Sequence, residues 1–200
     1  MMKKRESGFI TAEFLFAIVI AFGMSAIVFA LTFTLSTVEI GQYIVYSAAR
    51  AQAAANFDKA SQSDAAKAKY SALLADKGLS SLFSNGWFTL SKVGDLEIKQ
   101  GNGDNFSKDY DTGSRGDLQG VRAVFTAKIL EMRLPLIGTI TPDNGSFSAK
   151  LTGILIREPS EQECEQYMDQ RAQELWNIGD GRFQPYRKGD DTTPWEDNGC

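Results

Sequence analysis

KKRESGFITAEFLFAIVIAFGMSAIVFALTFTLSTV, residues 3–38, combines a basic patch, a small-residue break at Ser7-Gly8, one carboxylate at Glu13 and a long apolar run. No residue from Phe14 to Val38 is charged. A helix needs about 20 apolar residues to cross the hydrocarbon of a bilayer. The run therefore predicts a membrane-spanning helix over about 14–38. Lys3, Lys4 and Arg5 precede it with only Glu6 opposing, so the amino end should stay cytoplasmic and the remainder be exported. A secretory signal has a shorter apolar core with its cleavage site after it. Here the small-residue break lies before the helix. Cutting there would remove residues 1–8, leave the helix attached and create a new amine at Phe9.

Glu13 needs a partner if it is to sit near the start of a membrane helix, because an unpaired carboxylate costs a few kcal/mol where water cannot reach it. The Phe9 amine could serve, from one helical turn away on the same chain or from a neighbouring chain. A shallow Glu13 reaching the headgroups beside Lys4 and Arg5 is the other reading. Glu13, Ala17, Ala21 and Ser25 fall on one i+4 row, and small residues at that spacing let helices approach closely in lipid. The row predicts a helix that bundles with others.

Gly8-Phe9-Ile10-Thr11-Ala12-Glu13 resembles the class III signal of type IV pilins and pseudopilins. There a basic leader ends in Gly, a prepilin peptidase cuts after it, and Glu is the fifth mature residue at the head of a long apolar helix. The resemblance implies a leader over 1–8, cleavage between Gly8 and Phe9, and a Glu13 that helps insert the subunit by pairing with the amine of an adjacent one. It also implies a single-pass protein of the bacterial inner membrane with a periplasmic carboxyl-terminal domain. Its partners would be prepilin peptidase, other pilin subunits and the pilus assembly platform.

The helix should continue past the membrane. Ile40, Ile44, Ala48, Ala51 and Ala55 recur at helical spacing, with Glu39, Gln42, Tyr46 and Arg50 on the wetter side. Nothing breaks it before Asn56-Phe57-Asp58, so residues 9–57 read as one element and 58–200 as an exported domain. A second helix is expected over Gln62–Lys77, capped by Asp64 or Ser61 and ended by Gly78. Strands are expected at Trp87–Val93 and Leu96–Gln100, joined by a Gly94-Asp95 turn, then at Val121–Leu130 and Phe147–Ile156. Between the last two lie Leu134-Pro135-Leu136 and a turn at 142–145. Ser160 and Glu163 form a capping box for a last helix, with Tyr167, Met168, Ala172, Leu175 and Trp176 as its buried stripe. The expected fold is α+β: a long amino-terminal helix, an antiparallel sheet of three or four strands covered by the exported half of that helix, and further helices.

Composition narrows the function. Of 200 residues none is histidine, which removes the commonest general base and metal ligand. The net charge of −4 argues against a nucleic-acid footprint. No enzyme, metal or cofactor is expected. Asp104, Asp109 and Asp111 with Asn102 and Asn105 offer oxygens to calcium, but their spacing is not that of an EF-hand, and a solvated loop is the reading taken. Trp87, Trp176 and Trp195 read as core or tail anchors rather than a sugar platform. Cys164 and Cys200, an even pair in an exported segment, read as a disulfide closing the 164–200 tail. Such a loop would contribute about 3–4 kcal/mol.

Tyr43, Ala48-Ala49-Arg50, Leu134-Pro135-Leu136 and Arg157-Glu158-Pro159 together resemble the TadE-like minor pilins of tight-adherence pili. That resemblance implies a minor subunit in a pilus used for adhesion. A minor pseudopilin of type II secretion, or an exported ligand-binding module on a single-span anchor, stays open.

Overall fold

The computed structural model describes residues 6–54, 56–101, 103–110, 118–128, 132–134, 138–140 and 147–178; residues 6–10, 132–134, 138–140, 172 and 176 are described by their backbone. Helix α1 spans Glu6–Ala53 without a break and, at 1.5 Å per residue, runs about 72 Å. Helices α2 (Lys59–Ala75) and α3 (Lys77–Ser84) follow, then strands β1 (Phe88–Leu90), β2 (Glu97–Lys99), β3 (Gly120–Ala127), β4 (Met132–Leu134), β5 (Gly138–Ile140) and β6 (Phe147–Ile154), and helix α4 (Glu161–Ile178). The architecture is α+β, as the periodicities predict.

The helix starts follow local capping chemistry. Asp58, in an extended conformation, accepts the Ser61 amide at 2.7 Å and the Ser61 hydroxyl at 2.6 Å. It thereby caps α2 three residues ahead of the expected start. Neither Asp64 nor Ser61 is the cap. Gly78 does not end a helix either. Asp76 closes α2 through its amide and opens α3 by accepting the amides of Gly78 and Leu79. One aspartate thus splits what reads as a single helix into two.

The sheet departs from expectation in one respect. Strands β1 and β2 are not a hairpin. Both pair antiparallel with β3 along its same edge, Phe88 opposite Ala127 and Lys99 opposite Gly120. They are two halves of one strand position, interrupted by a 3-10 turn at Val93–Asp95. At the break Ser91 replaces ladder bonds. Its amide donates to the Val124 carbonyl at 3.0 Å, and its hydroxyl accepts the Val124 amide at 2.8 Å. Strand β6 pairs along the other edge of β3 from Gly120–Ile154 to Ala127–Phe147. β4 and β5 pair antiparallel with each other in a separate two-stranded sheet.

Alternation along β3 sends Val121, Ala123, Phe125 and Ala127 to a face covered by α1, where Ile44, Val45, Ala48 and Ala49 are buried against them. Fully burying each large apolar side chain contributes about 1.5–3 kcal/mol. Helix α2 adds Ala66 and Tyr70 to the same core. The Tyr70 hydroxyl donates to the Ser91 carbonyl at 2.7 Å, and burial pushes its pKa above the ordinary tyrosine value. The helix lies unusually close to β6. A Cβ at Gly153 would stand 2.9 Å from the Ala49 Cβ and 3.1 Å from the Tyr46 Cα. That proximity leaves no room for a larger side chain than alanine at residue 49.

The opposite face of the sheet holds a polar anchor. Arg122 is only 3% exposed. Its guanidinium pairs with Asp109 and Glu97, donates to the Thr152 hydroxyl at 3.1 Å and lies 4.1 Å from the Phe106 ring centroid. Phe106 and Asp109 are thereby fixed against the sheet. Two of the oxygens weighed for calcium serve internal cations: Asp109 meets Arg122 and Asp104 meets Lys99 at 2.6 Å. Asn102 and Asp111 lie outside the described residues.

Candidate functional site

The candidate site is the head of α1. Gly8 and Phe9 lie inside the helical backbone that begins at Glu6. Glu13 stands one turn beyond Phe9 and is exposed, with no ion pair among the described residues. Ala17, Ala21 and Ser25 continue from it up one flank of the helix, all exposed. The same stretch also exposes Phe14, Phe16, Val19, Phe22, Met24, Val28 and Phe29. Such a surface is stable only in lipid or against other apolar helices. Among the described residues α1 is the one helix long and apolar enough to cross a membrane. Chemically, the segment can bury itself in hydrocarbon and offer one carboxylate, on a small-residue row, to a cation brought by another chain.

A second constellation joins the far end of α1 to α2 and α4. The Glu163 carboxylate accepts two bonds from Arg157, one from the Ser160 amide at 3.0 Å and one from Lys59 at 3.0 Å. The Ser160 hydroxyl accepts the Glu163 amide in return, completing the expected capping box. Arg157 also donates to the Gln62 side chain at 2.7 Å, and Gln62 in turn donates to the carbonyls of Ala54 and Glu158. The Arg157 bonds, followed by the Ser160 amide and Lys59, hold the Glu163 pKa far below the ordinary carboxylate range against the opposing effect of burial. This clamp gives a local role to Arg157-Glu158-Pro159. The sequence signalled its capping box but not Lys59 and Gln62, which reach it from 95 or more residues away.

Beside the clamp lies an open polar cleft of about 690 Å³, lined by Asp58, Lys59, Glu163, Gln166 and Tyr167. Tyr167, expected in a buried stripe, is 63% exposed there. Among the described side chains, Ser160 just before α4 and Cys164 in its first turn are the buried ones, while Met168 and Leu175 of the expected stripe are half-buried. Trp87, expected as an anchor, is 54% exposed, because strand alternation gives the core position to Phe88. Cys164 carries no free thiol; Cys200, its expected partner, lies outside the described residues, as do Trp195 and Ala55. No family model, curated protein or solved structure matches the chain.

Proposed function

We propose that the chain is a minor pilin or pseudopilin, most like the TadE-like subunits of tight-adherence pili. It is cut between Gly8 and Phe9 by prepilin peptidase and carried by α1 into a filament or its assembly complex. The supporting observation is the position of Gly8, Phe9 and Glu13 at the head of one unbroken helix of 48 residues, whose first turns carry an exposed apolar surface. A helix that must leave lipid and line a filament needs a surface that the subunit itself does not use. In this reading Glu13 pairs with the Phe9 amine of a neighbour, and the subunit is neither an enzyme nor a cofactor carrier.

Amino-terminal sequencing and intact mass of the membrane form test the reading. A mature chain starting at Phe9 is expected where prepilin peptidase is active, and one still starting at Met1 would overturn it. Gly8→Arg should block the cut. Glu13→Ala should spare the cut and impair assembly, and normal filaments with that variant would remove the role given to the carboxylate.

The polar cleft beside Tyr167 favours a second reading, an exported ligand-binding module on a single-span anchor. Fusing the domain to an unrelated anchor separates the two, since a module would keep its function. The fusion has to keep residues 30–53, whose buried stripe is part of the core.

A further inference from the structure

The burial pattern along α1 changes at one level. From Thr11 to Phe29 no residue is buried, and the only polar side chains are Thr11, Glu13 and Ser25. Ala30 is buried, as are Thr34 and Thr37, while Thr32, Ser36 and Glu39 face outward together with Leu31 and Leu35. Thr11 to Phe29 spans about 28 Å of helix, close to the thickness of a bilayer's hydrocarbon core. On this count the lipid ends near Phe29, earlier than the uncharged run suggests, and the domain begins at once.

The end of the sheet nearest that level is fixed by contacts. The Phe33 ring meets the Phe88 ring edge-on at 5.2 Å. Farther along the helix Gly41 lies beside Leu151, and Gln52 donates to the Lys99 carbonyl. The sheet therefore points its Phe88–Ala127–Phe147 end at the lipid. Phe33 stands about 6 Å beyond Phe29, roughly the depth of one headgroup layer. At this end three neighbouring residues are exposed: Trp87 at 54%, Phe147 at 44%, and Lys128, whose amide donates to the Trp87 carbonyl at 2.7 Å.

We propose that this end of the domain is a membrane seat, with Trp87 and Phe147 in the headgroup layer of the bilayer that α1 crosses and Lys128 among the lipid phosphates. The Trp87 indole, with its one polar edge, favours that layer, the apolar Phe147 ring can rest on its hydrocarbon side, and a lysine can place its stem in it with the ammonium at the surface. The inference rests on α1 spanning the membrane and does not depend on leader cleavage or filament formation. A seated domain would hold α1 at a fixed depth, keeping Glu13 about 24 Å below Phe29, near the inner edge of the hydrocarbon.

The test uses the full chain in vesicles of phosphatidylcholine and phosphatidylglycerol, with Trp176 and Trp195 replaced by Phe, or by Tyr if the Phe version does not fold. Trp87 is then the sole indole. Lipids brominated near the headgroup should quench it about twofold more than lipids brominated near the chain ends, and acrylamide should reach it poorly. Quenching by acrylamide alone would overturn the seat, and so would stronger quenching from the chain ends. A companion chain with Phe16→Trp and Trp87→Phe reports on the span. Deep quenching at residue 16 with none at Trp87 removes the seat alone, whereas no lipid quenching at residue 16 removes the span and the seat with it.

Discussion

Helix α1 is one uninterrupted element in two environments. From Thr11 to Phe29 it exposes Phe14, Phe16, Phe22 and Val28 around its circumference; from Ala30 onward a stripe through Thr34, Thr37, Ile44 and Ala48 is buried. Both halves are rich in apolar residues, yet they do different things with them. In the first half large side chains face outward, where lipid or another helix must receive them. In the second, a stripe of Ile44 and Val45 with the small Ala48 and Ala49 faces inward, and the alanines let a sheet approach the helix backbone. The presence of an inward-facing stripe separates the halves, and hydrophobicity alone does not.

If that division is right, the energy of the folded domain lies in the second half and beyond. Phe88→Ala should be the most damaging change. It removes a fully buried ring that touches Phe33 at 5.2 Å and Phe125 at 5.8 Å. A loss of about 3–5 kcal/mol is expected, read as unfolding of the sheet by circular dichroism in mild detergent. A loss under about 1 kcal/mol would mean that the helix and sheet do not share a core.

Glu163→Gln tests the far end of the same half. Arg157 and Lys59 would lose their carboxylate, and about 1.5–3 kcal/mol should go with it. The sign with pH is set by the lowered pKa. The stabilisation is complete above the unfolded value near 4.5 and fades as pH falls below it, because the unfolded chain then takes up a proton that the folded carboxyl refuses. The parent should therefore lose stability below that pH more steeply than Glu163→Gln does. Parallel curves in the acid range would show that the clamp contributes little.

Gly153→Ala probes the close approach itself. Its new methyl would stand 2.9 Å from the Ala49 Cβ and 3.2 Å from the Val45 carbonyl oxygen, so α1 and β6 must part. About 1–3 kcal/mol should be lost, and a variant as stable as the parent would show that the contact is looser than its geometry.

Much of this was legible in the sequence, and the parts that were not share a cause. The long helix, the alternation of β3, the Ser160–Glu163 box and the helix-on-sheet core follow from periodicity and local hydrogen bonding. The misreadings arise where a local signal competed with a distant one. Gly94-Asp95 looks like a hairpin turn, but β3 offers both flanking segments a longer partner, and Ser91 patches the gap. Asp58 out-competes Ser61 and Asp64 as a cap because it sits directly before the first helical residue. The uncharged run to Val38 hides the change at Ala30, since a threonine whose hydroxyl bonds back to its own helix, as Thr34 does to Ala30 at 2.7 Å, suits a domain core as well as a membrane. At the candidate site Gly8, Phe9 and Glu13 could be singled out because the resemblance that marks them is carried by a local string. The clamp around Glu163 was only half readable, because two of its members come from another helix.

The smallest effect is expected in the first half. Phe22 is 73% exposed and lies on the stretch of α1 that carries no buried residue. Phe22→Ala should leave unfolding of the sheet within about 0.5 kcal/mol of the parent, although it deletes as large a ring as Phe88→Ala does. Both variants would be measured in the same detergent, so that micelle effects cancel. The contrast decides between two accounts of the helix. If lipid or neighbouring helices are the only partners of residues 11–29, a ring lost there is invisible to the domain. If instead Phe22→Ala shifts the sheet transition by more than about 1 kcal/mol, the two halves are energetically coupled. A filament built on the first half would then have to feel every change in the second.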